Sequence, residues 1–419
     1  MLSFPCYRRF RQTHVHIEYS MRPIFNNLVP VIWLLAISLH SSACTEARSI
    51  HHEIHAGVSW SGEHANYHQY ISAGETNPLK SESFERNPFS ASGTYTVFLS
   101  SFVPQPHVPA SLWEFYQHPS TVSLAFTLQP EARMTNIHDD PALRYHRSTA
   151  TDERLRSLTV FGEHYVLPHI GISANFAVSR TDDDSRTHIS AGDTQSQRTG
   201  QNKGLRHQYG LGVSRYVNEC MNLRTGYDRL QGIYRNRERH WNTAGPIFET
   251  RYDTDSDLTG NHIFIEGTRI INRRFGLQGR YDFQNYDLEA DSVTSYSKDL
   301  VGKSIISRDV LNQHTASLQI NLYPGSKTTL WWRGTYTREH IRRTYPDSTQ
   351  TTDAIRHHIQ LHAGIEYDLN RTFGICGEYG YLRQSGDVSI DDEQEPFPLA
   401  TYETERNRHT LTLSLIGRF

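Results

Sequence analysis

Apolar and polar residues alternate with a period of two through most of this chain. In 355–369 the odd positions read Ile, His, Ile, Leu, Ala, Ile, Tyr, Leu, and the even positions Arg, His, Gln, His, Gly, Glu, Asp. In 314–322, Ala316, Leu318, Ile320 and Leu322 oppose Thr315, Ser317, Gln319 and Asn321. Side chains alternate between faces in this way only in an extended strand. The same template predicts strands at 54–61, 93–103, 121–128, 156–166, 170–180, 207–216, 222–235, 260–271, 275–288, 313–323, 328–340, 355–369, 372–385 and 409–419. Tight turns are expected at Pro168-His169, Asn218-Glu219, Asn272-Arg273, Pro324-Gly325 and Asn370-Arg371, and long polar loops at about 62–91, 181–204, 236–257, 290–311 and 386–403. Residues 104–118, rich in proline and aromatics, read as a connector that plugs or lines one end of a barrel.

The chain ends on one such strand. Leu411, Leu413, Leu415, Gly417 and Phe419 share a face, and Thr410, Thr412, Ser414 and Arg418 the other, with Ile416 as an apolar intruder. This ending resembles the closing strand of Gram-negative outer-membrane β-barrels, in which a terminal aromatic serves as the assembly signal; here that residue is Phe419. The resemblance covers roughly 50–419 and matches no single named family. It implies a closed antiparallel transmembrane β-barrel of about fourteen strands, or twelve if the two weakest N-terminal strands lie outside the wall. It also implies short periplasmic turns, long extracellular loops, and as partners the barrel-assembly machinery, outer-membrane lipid and lipopolysaccharide. Predicted strands of about 10–15 residues are long enough to cross a bilayer when tilted, and hydrocarbon requires the sheet to close.

Composition fits. The 419 residues are 37% hydrophobic, with a mean hydropathy of −0.61. Past the N-terminus no run of eighteen apolar residues occurs, which excludes helical membrane spans there. A barrel tolerates such polarity because only alternate residues face lipid. The 23 tyrosines against 4 methionines suit interfacial aromatic girdles. A net charge of −3 implies no polyanionic partner, and no nucleic-acid stripe or dinucleotide fingerprint is present. No CxxC or Cys/His spacing points to zinc. A Cys220–Cys376 disulfide is conceivable in an oxidising compartment.

The N-terminus reads as a targeting region. Met21-Arg22-Pro23, the apolar stretch Leu28–Leu39 and the small residues Ser41-Ser42-Ala43 have the layout of a secretory signal peptide. Met21 is the expected start, so 1–43 is leader plus signal and 44–419 one barrel domain. Cleavage after Ala43 would expose Cys44 and raises the alternative of lipidation.

Alternation also sorts the candidate functional residues. Leu318, Ile320, Leu330, Trp332, Tyr336, Ile359, Leu361, Ile365, Ile375, Tyr379, Leu413 and Leu415 are assigned to the lipid face. Arg224, Asp228, Glu266, Arg280, Asp282, Arg333, Glu339, Arg356, His358, His362, Glu366, Glu378 and Arg418 are assigned to the lumen, either lining a pore or pairing with one another in a packed interior. His358 and His362 share a face but stand roughly 13 Å apart, too far to share an ion, so no metal is expected. Asp182-Asp183-Asp184 and Asp391-Asp392-Glu393 with Glu395 read as solvated loop tips, or alternatively as Ca²⁺ or lipopolysaccharide bridges. His188-Ile189-Ser190 falls in a predicted outer loop and no GxSxG occurs, so neither catalysis nor a cofactor is expected. The expected function is passive diffusion of small solutes through an outer-membrane porin-like channel. The alternative is a non-conducting barrel that anchors a secretion or electron-transfer partner, and an outer-membrane lipid-modifying enzyme ranks third.

Overall fold

The computed structural model describes residues 50–419 except 71–79, 87, 104, 106, 141–144, 192–193, 243–247, 297–299, 347 and 393–399. The signal-peptide and Cys44 readings, and Glu393 and Glu395, lie outside the described residues. One antiparallel sheet contains fifteen strands. They are β1 (Ile50–Tyr70), β2 (Lys80–Arg86), β3 (Phe89–Phe102), β4 (Thr121–Asp140), β5 (Tyr145–Leu167), β6 (Ile170–Ala191), β7 (Thr194–Asn218) and β8 (Met221–Asn242). There follow β9 (Phe248–Asn272), β10 (Phe275–Tyr296), β11 (Leu300–Gly325), β12 (Thr328–Thr344), β13 (Gln350–Asp368), β14 (Phe373–Asp392) and β15 (Ala400–Arg418). β2 and β3 pair with β1 on one side and with β4 on the other, so together they make a single stave and the wall has fourteen.

The sheet closes by pairing β1 with β15, from Glu53↔Arg418 to Tyr70↔Thr401. The last residue takes part. The Phe419 amide donates to His52 O (2.9 Å), and Phe419 O accepts from the amides of His51 and His52 (2.8 and 2.9 Å). The Phe419 ring meets Phe373 edge-on at 6.2 Å. Inside the seam, Ser59 and Ser61 bond Thr412 and Thr410 hydroxyl to hydroxyl. Closure leaves no sheet edge over most of the wall. One place departs from this. Between Arg86↔Met134 and Ala91↔Leu128 the ladder to β4 is interrupted, with Pro88 on one stave and Pro130, inside a register shift of β4, on the next. Proline has no N–H to donate to a ladder.

The exterior is apolar where alternation predicted it. Of the twelve residues assigned to lipid, ten are exposed, from Ile375 at 42% to Leu415 at 59%, and Ile320 and Leu330 are half-buried. On β13 and the residue that follows it, the exposed apolar series Ile359, Leu361, Ile365, Tyr367 and Leu369 spans about 33 Å along the strand direction, or about 25 Å when tilted, the height of an outer-membrane apolar band. Its loop-side edge is sharp. The next exterior residue toward the loops is arginine on β5, β6, β8, β12 and β14 (Arg156, Arg180, Arg229, Arg338, Arg383). It is histidine on β7, β11, β13 and β15 (His207, His314, His357, His409) and asparagine on β9 and β10.

Several expectations need correction. The strands run 17–26 residues on β4–β15, well past the predicted 10–15, so most of the predicted loops at 181–204, 236–257, 290–311 and 386–403 are strand. Beyond the apolar belt both faces are wetted, so the ladder continues without any apolar period to reveal it. Asp182-Asp183-Asp184 and His188-Ile189-Ser190 therefore stand on β6 and not on loop tips, and Asp391-Asp392 end β14. β2, inside the expected loop at 62–91, likewise carries no apolar period. The tight turns fall within two residues of their predicted places. Cys220, in the turn after β7, and Cys376, on β14, are both free thiols, so the disulfide does not form.

Placing a charge in the middle of the belt tests the assignment of faces. Leu361→Arg is expected to lower unfolding stability by ~2–4 kcal/mol in lipid vesicles, while Leu361→Met leaves the urea midpoint nearly unchanged. Equal midpoints for all three proteins would place Leu361 away from lipid.

Candidate functional site: the lumen and its stopper

The connector between β3 and β4 does not hang from the barrel. It folds into the turn end of the lumen as a 3₁₀ turn (Ala110–Leu112) followed by a short helix, α1 (Trp113–Gln117). Its two ends are tied together, with the Val103 amide donating to Gln117 Oε1 (3.0 Å) and Gln117 Nε2 to Val103 O (2.7 Å). Trp113 and Ala110 pack against Ile50 of β1 and Phe98 of β3, all under 9% exposed. On another side Leu112 packs on Ile270 of β9 and Tyr323 of β11, with Phe115 and Tyr116 around it. Ser111 bonds Thr329 of β12 (2.8 Å), and the Ala110 amide reaches Asp368 of β13 (3.4 Å). Phe115 meets Tyr216 of β7 edge-on at 5.5 Å. His118 stacks on Tyr216 and faces Tyr165 of β5. Burial pushes the His118 imidazole below its ordinary value, which favours the neutral ring for this stack. His118 has a φ of 46°, the left-handed geometry that turns the chain from α1 into β4. The connector thus touches staves all round the barrel and stoppers its turn end.

Beside the stopper lies a buried charge cluster. The Arg418 side chain is 3% exposed and meets Glu53 (2.8 Å), Glu366 (2.9 Å) and Asp368 (2.8 Å) through three different nitrogens. Its guanidinium carbon lies 5.9 Å from the Trp113 ring. Asp368 therefore joins the closing strand to the stopper, accepting from both Arg418 and the Ala110 amide. Arg418 and Glu366 are among the residues the sequence assigns to the lumen; Glu53 lies just ahead of the predicted strand at 54–61, and Asp368 is the last residue of β13.

A second network covers β7 to β10. His262 Nδ1 bonds Asp228 (2.7 Å) and its Nε2 bonds Asp282 (2.8 Å). Both oxygens accept, so the ring donates from both nitrogens. Gln208 also donates to Asp228 (2.9 Å). Arg280 binds Asp282 through two nitrogens (2.9 and 2.7 Å) and Glu266 through a third (3.1 Å). The Arg280 and Arg224 guanidinium carbons stand over aromatic rings, Arg280 over Phe264 (4.4 Å) and Arg224 over Phe161 (4.6 Å). Two glycines make room: a Cβ on Gly210 would meet Asp228 at 1.8 Å, and one on Gly226 would meet the Phe264 ring at 2.5 Å. His262 is absent from the residues the sequence assigns to the lumen, although its even position in β9 places it on the same face as Glu266.

The remaining assigned residues pair on β12–β14. Glu378 bonds His362 (2.6 Å) and lies 3.8 Å from Arg333; Glu339 lies 3.4 Å from His358 and 3.9 Å from Arg356. His358 and His362 thus have different carboxylate partners. Most of the assigned residues stand out of phase with exposed apolar neighbours, as Asp228 beside Tyr227, Arg280 and Asp282 beside Tyr281, and His362 beside Leu361, whereas Glu339 stands between exposed Arg338 and His340. Opposite these bulky groups the wall of β5–β7 carries small inward residues: Ser157, Ser173, Ala177, Ser179, Gly212 and Ser214. There a recess of about 250 Å³ opens, lined by Ser157, Ala177, Val178, Ser179, Arg206 and Gln208.

No family model and no curated protein sequence matches the chain. Solved structures do. A Pseudomonas aeruginosa FadL homologue superposes with a TM-score of 0.52 at 10% identity, covering 88% of this chain and 90% of its own. A deltaS2 mutant of the TodX monoaromatic hydrocarbon channel gives 0.54 at 9% identity, covering 89% and 91%. The P. putida toluene transporter TodX gives 0.52 at 8% identity, covering 88% and 90%. At such identities the likeness is one of fold, a closed antiparallel barrel of the outer-membrane type.

Removing the cation at the seam should leave its carboxylates uncompensated. Arg418→Met is expected to lose about 3–5 kcal/mol in a urea titration of the refolded protein. Part of that loss returns on adding Glu366→Gln. No recovery in the double variant would mean that the cluster does not act as a charge-balanced unit.

Proposed function

We propose that this chain is an outer-membrane channel for small hydrophilic solutes, with its tight turns in the periplasm and its connector narrowing that end. The observation that carries the reading is the inner wall above the stopper, where serine, glycine, asparagine, glutamine and charged groups predominate, while its apolar residues are covered: Phe161, Phe264 and Trp331 lie under Arg224, Arg280 and Arg333, and Leu230, Leu258 and Leu382 are buried, with a recess on the small-residue side of β5–β7. Hydrated solutes exchange hydrogen bonds with such a wall at little cost, whereas an apolar solute would find few apolar surfaces there. The hydrocarbon cargo of TodX is for that reason not carried over.

A second reading, the non-conducting barrel, is favoured by one specific observation: the stopper engages Ile50, Phe98, Tyr216, Ile270, Tyr323, Thr329 and Asp368 around the ring. The two readings differ in what loosening the stopper does.

Conductance in planar bilayers separates them. A Cys pair at Ser111 and Thr329, in a background with Cys220→Ser and Cys376→Ser, would lock the stopper when oxidised. Small steps from the native protein, none from the oxidised pair and larger steps from Leu112→Ala with Trp113→Ala are the expected outcome. Silence from all of these, with each protein shown to be folded by its heat-shifted gel migration, would leave only the non-conducting barrel.

A further inference from the structure

The outer surface carries a repeated device that the lumen does not explain. In successive hairpins an exterior aromatic on the first strand is met, diagonally toward the loops, by a polar residue on the second. The pairs are Tyr227 with Asn261 (2.6 Å), Tyr281 with His314 (2.8 Å), Tyr336 with His357 (2.8 Å) and Tyr379 with His409 (2.7 Å). Phe176 and His207 occupy the same two places, with ring centroids 6.4 Å apart. The aromatics sit at the loop-side edge of the apolar belt, where interfacial aromatics are at home.

On three adjacent strands the residues just above that edge fall in one row. Arg338 of β12 is directly opposite His314 of β11 and His357 of β13. Such neighbours have Cβ atoms about 4.5–5.5 Å apart, so the row is about 10 Å wide. His314 and Arg338 are exposed and His357 is half-buried. The Tyr281 and Tyr336 hydroxyls bond Nδ1 of His314 and His357, which fixes both rings; the neutral ring that accepts from a phenol carries its proton on Nε2, and a cationic ring carries one there as well. Among the described residues no ion pair engages Arg338. The nearest acid on this face by register is Asp387, on β14 two residues nearer the loops than Ser385, the partner of His357, so that a whole strand separates it from Arg338; Asp353, four residues from His357 on β13, is held by His340 (3.2 Å). Two other arginines at the belt edge differ: Arg180 has Asp182 and Arg383 has Glu405. Immediately toward the turns, Arg338 is followed on the same face by Tyr336, and Ala316 and Ile359 are its register partners.

We propose that the row His314–Arg338–His357 binds the phosphate of a membrane lipid whose acyl chains lie on the apolar belt beneath it. Three donors abreast, with fixed imidazoles on either side of a fork-shaped guanidinium, suit a phosphate's several acceptor oxygens. The position selects a lipid over a soluble anion, because the row lies where hydrocarbon gives way to headgroups, and the belt supplies the second half of the ligand's binding energy. The inference needs the barrel to span a membrane and is independent of whether the lumen conducts.

The test counts lipids retained by the refolded full barrel in detergent, by native mass spectrometry, with diphosphoryl lipid A as the probe. The native protein is expected to retain it. Arg338→Gln lowers retention about fivefold, and H314Q/R338Q/H357Q at least about tenfold, while Arg237→Gln, elsewhere on the exterior, has no effect. Fully dephosphorylated lipid A should be retained no better by the native protein than by the triple variant. Heat-shifted gel migration monitors folding, and Arg338→Gln alone carries the test if the triple variant does not fold. Equal retention of lipid A by the native and variant proteins overturns the proposal. So does equal retention of the dephosphorylated lipid, or displacement of lipid A by millimolar inorganic phosphate, which would mark a site for a soluble anion.

Discussion

Every backbone N–H and C=O that faces hydrocarbon must find a partner within the protein, and this requirement governs the whole molecule. A sheet can meet it only by closing, and here closure depends on a seam between the first and last strands. The seam is reinforced at its turn end by the chain terminus itself, since Phe419 exchanges backbone hydrogen bonds with His51 and His52. The neighbouring Arg418 then gathers Glu53 from one side of the seam and Glu366 and Asp368 from two strands away on the other. Ladder, terminal residue and charge cluster therefore act at one place, the last pairing the barrel must make.

Closure creates an interior, and the interior must then be filled or left wet. A wall of fourteen staves lies between barrels small enough to be filled by side chains and those wide enough to stay open. This chain uses two solutions at different heights. At the turn end the connector folds inward, with Leu112 and Trp113 buried against opposite sides. Higher up, bulky charged groups project from β8–β10 and β12–β14, while β5–β7 recede to serine, alanine and glycine. The charges do not stand free. Asp228, His262, Asp282, Arg280 and Glu266 form one continuous chain of contacts across three strands. Such pairing lets a low-dielectric wall carry ionised groups without the cost of leaving any one uncompensated.

The parts of this architecture that the sequence displays are those where one face meets lipid. Alternation at 355–369 or 411–419 is visible because Leu361 and Leu413 must be apolar and their neighbours need not be. The charged residues assigned to the lumen fall on the other face for the same reason, by parity. Parity does not give partners: nothing in the sequence joins Arg418 to Glu53, 365 positions away, because register depends on the closed ring. Nor does it give strand ends. From Asp182 onward β6 has polar residues on both faces, so its further ten residues carry no period. The connector's proline and aromatic content marked it as unusual, but its seat depends on Ile270, Tyr323 and Tyr216, inward apolar residues close to turns on three other strands.

The same parity separates the two surfaces functionally. Arg338 and Glu339 are adjacent in sequence, yet the first faces the membrane edge and the second pairs with His358 and Arg356 inside. A change at Arg338 alters what the barrel presents to lipid, and a change at Glu339 alters the lumen, with a two-residue segment as the only common structure. His357 and His358 divide in the same way, one held by the Tyr336 phenol outside and the other beside Glu339 within. What looks in the sequence like a histidine cluster is two single histidines serving two different solvents. A charge-rich run in a barrel strand therefore has to be read one residue at a time, since neighbours in the chain are separated by the full thickness of the wall.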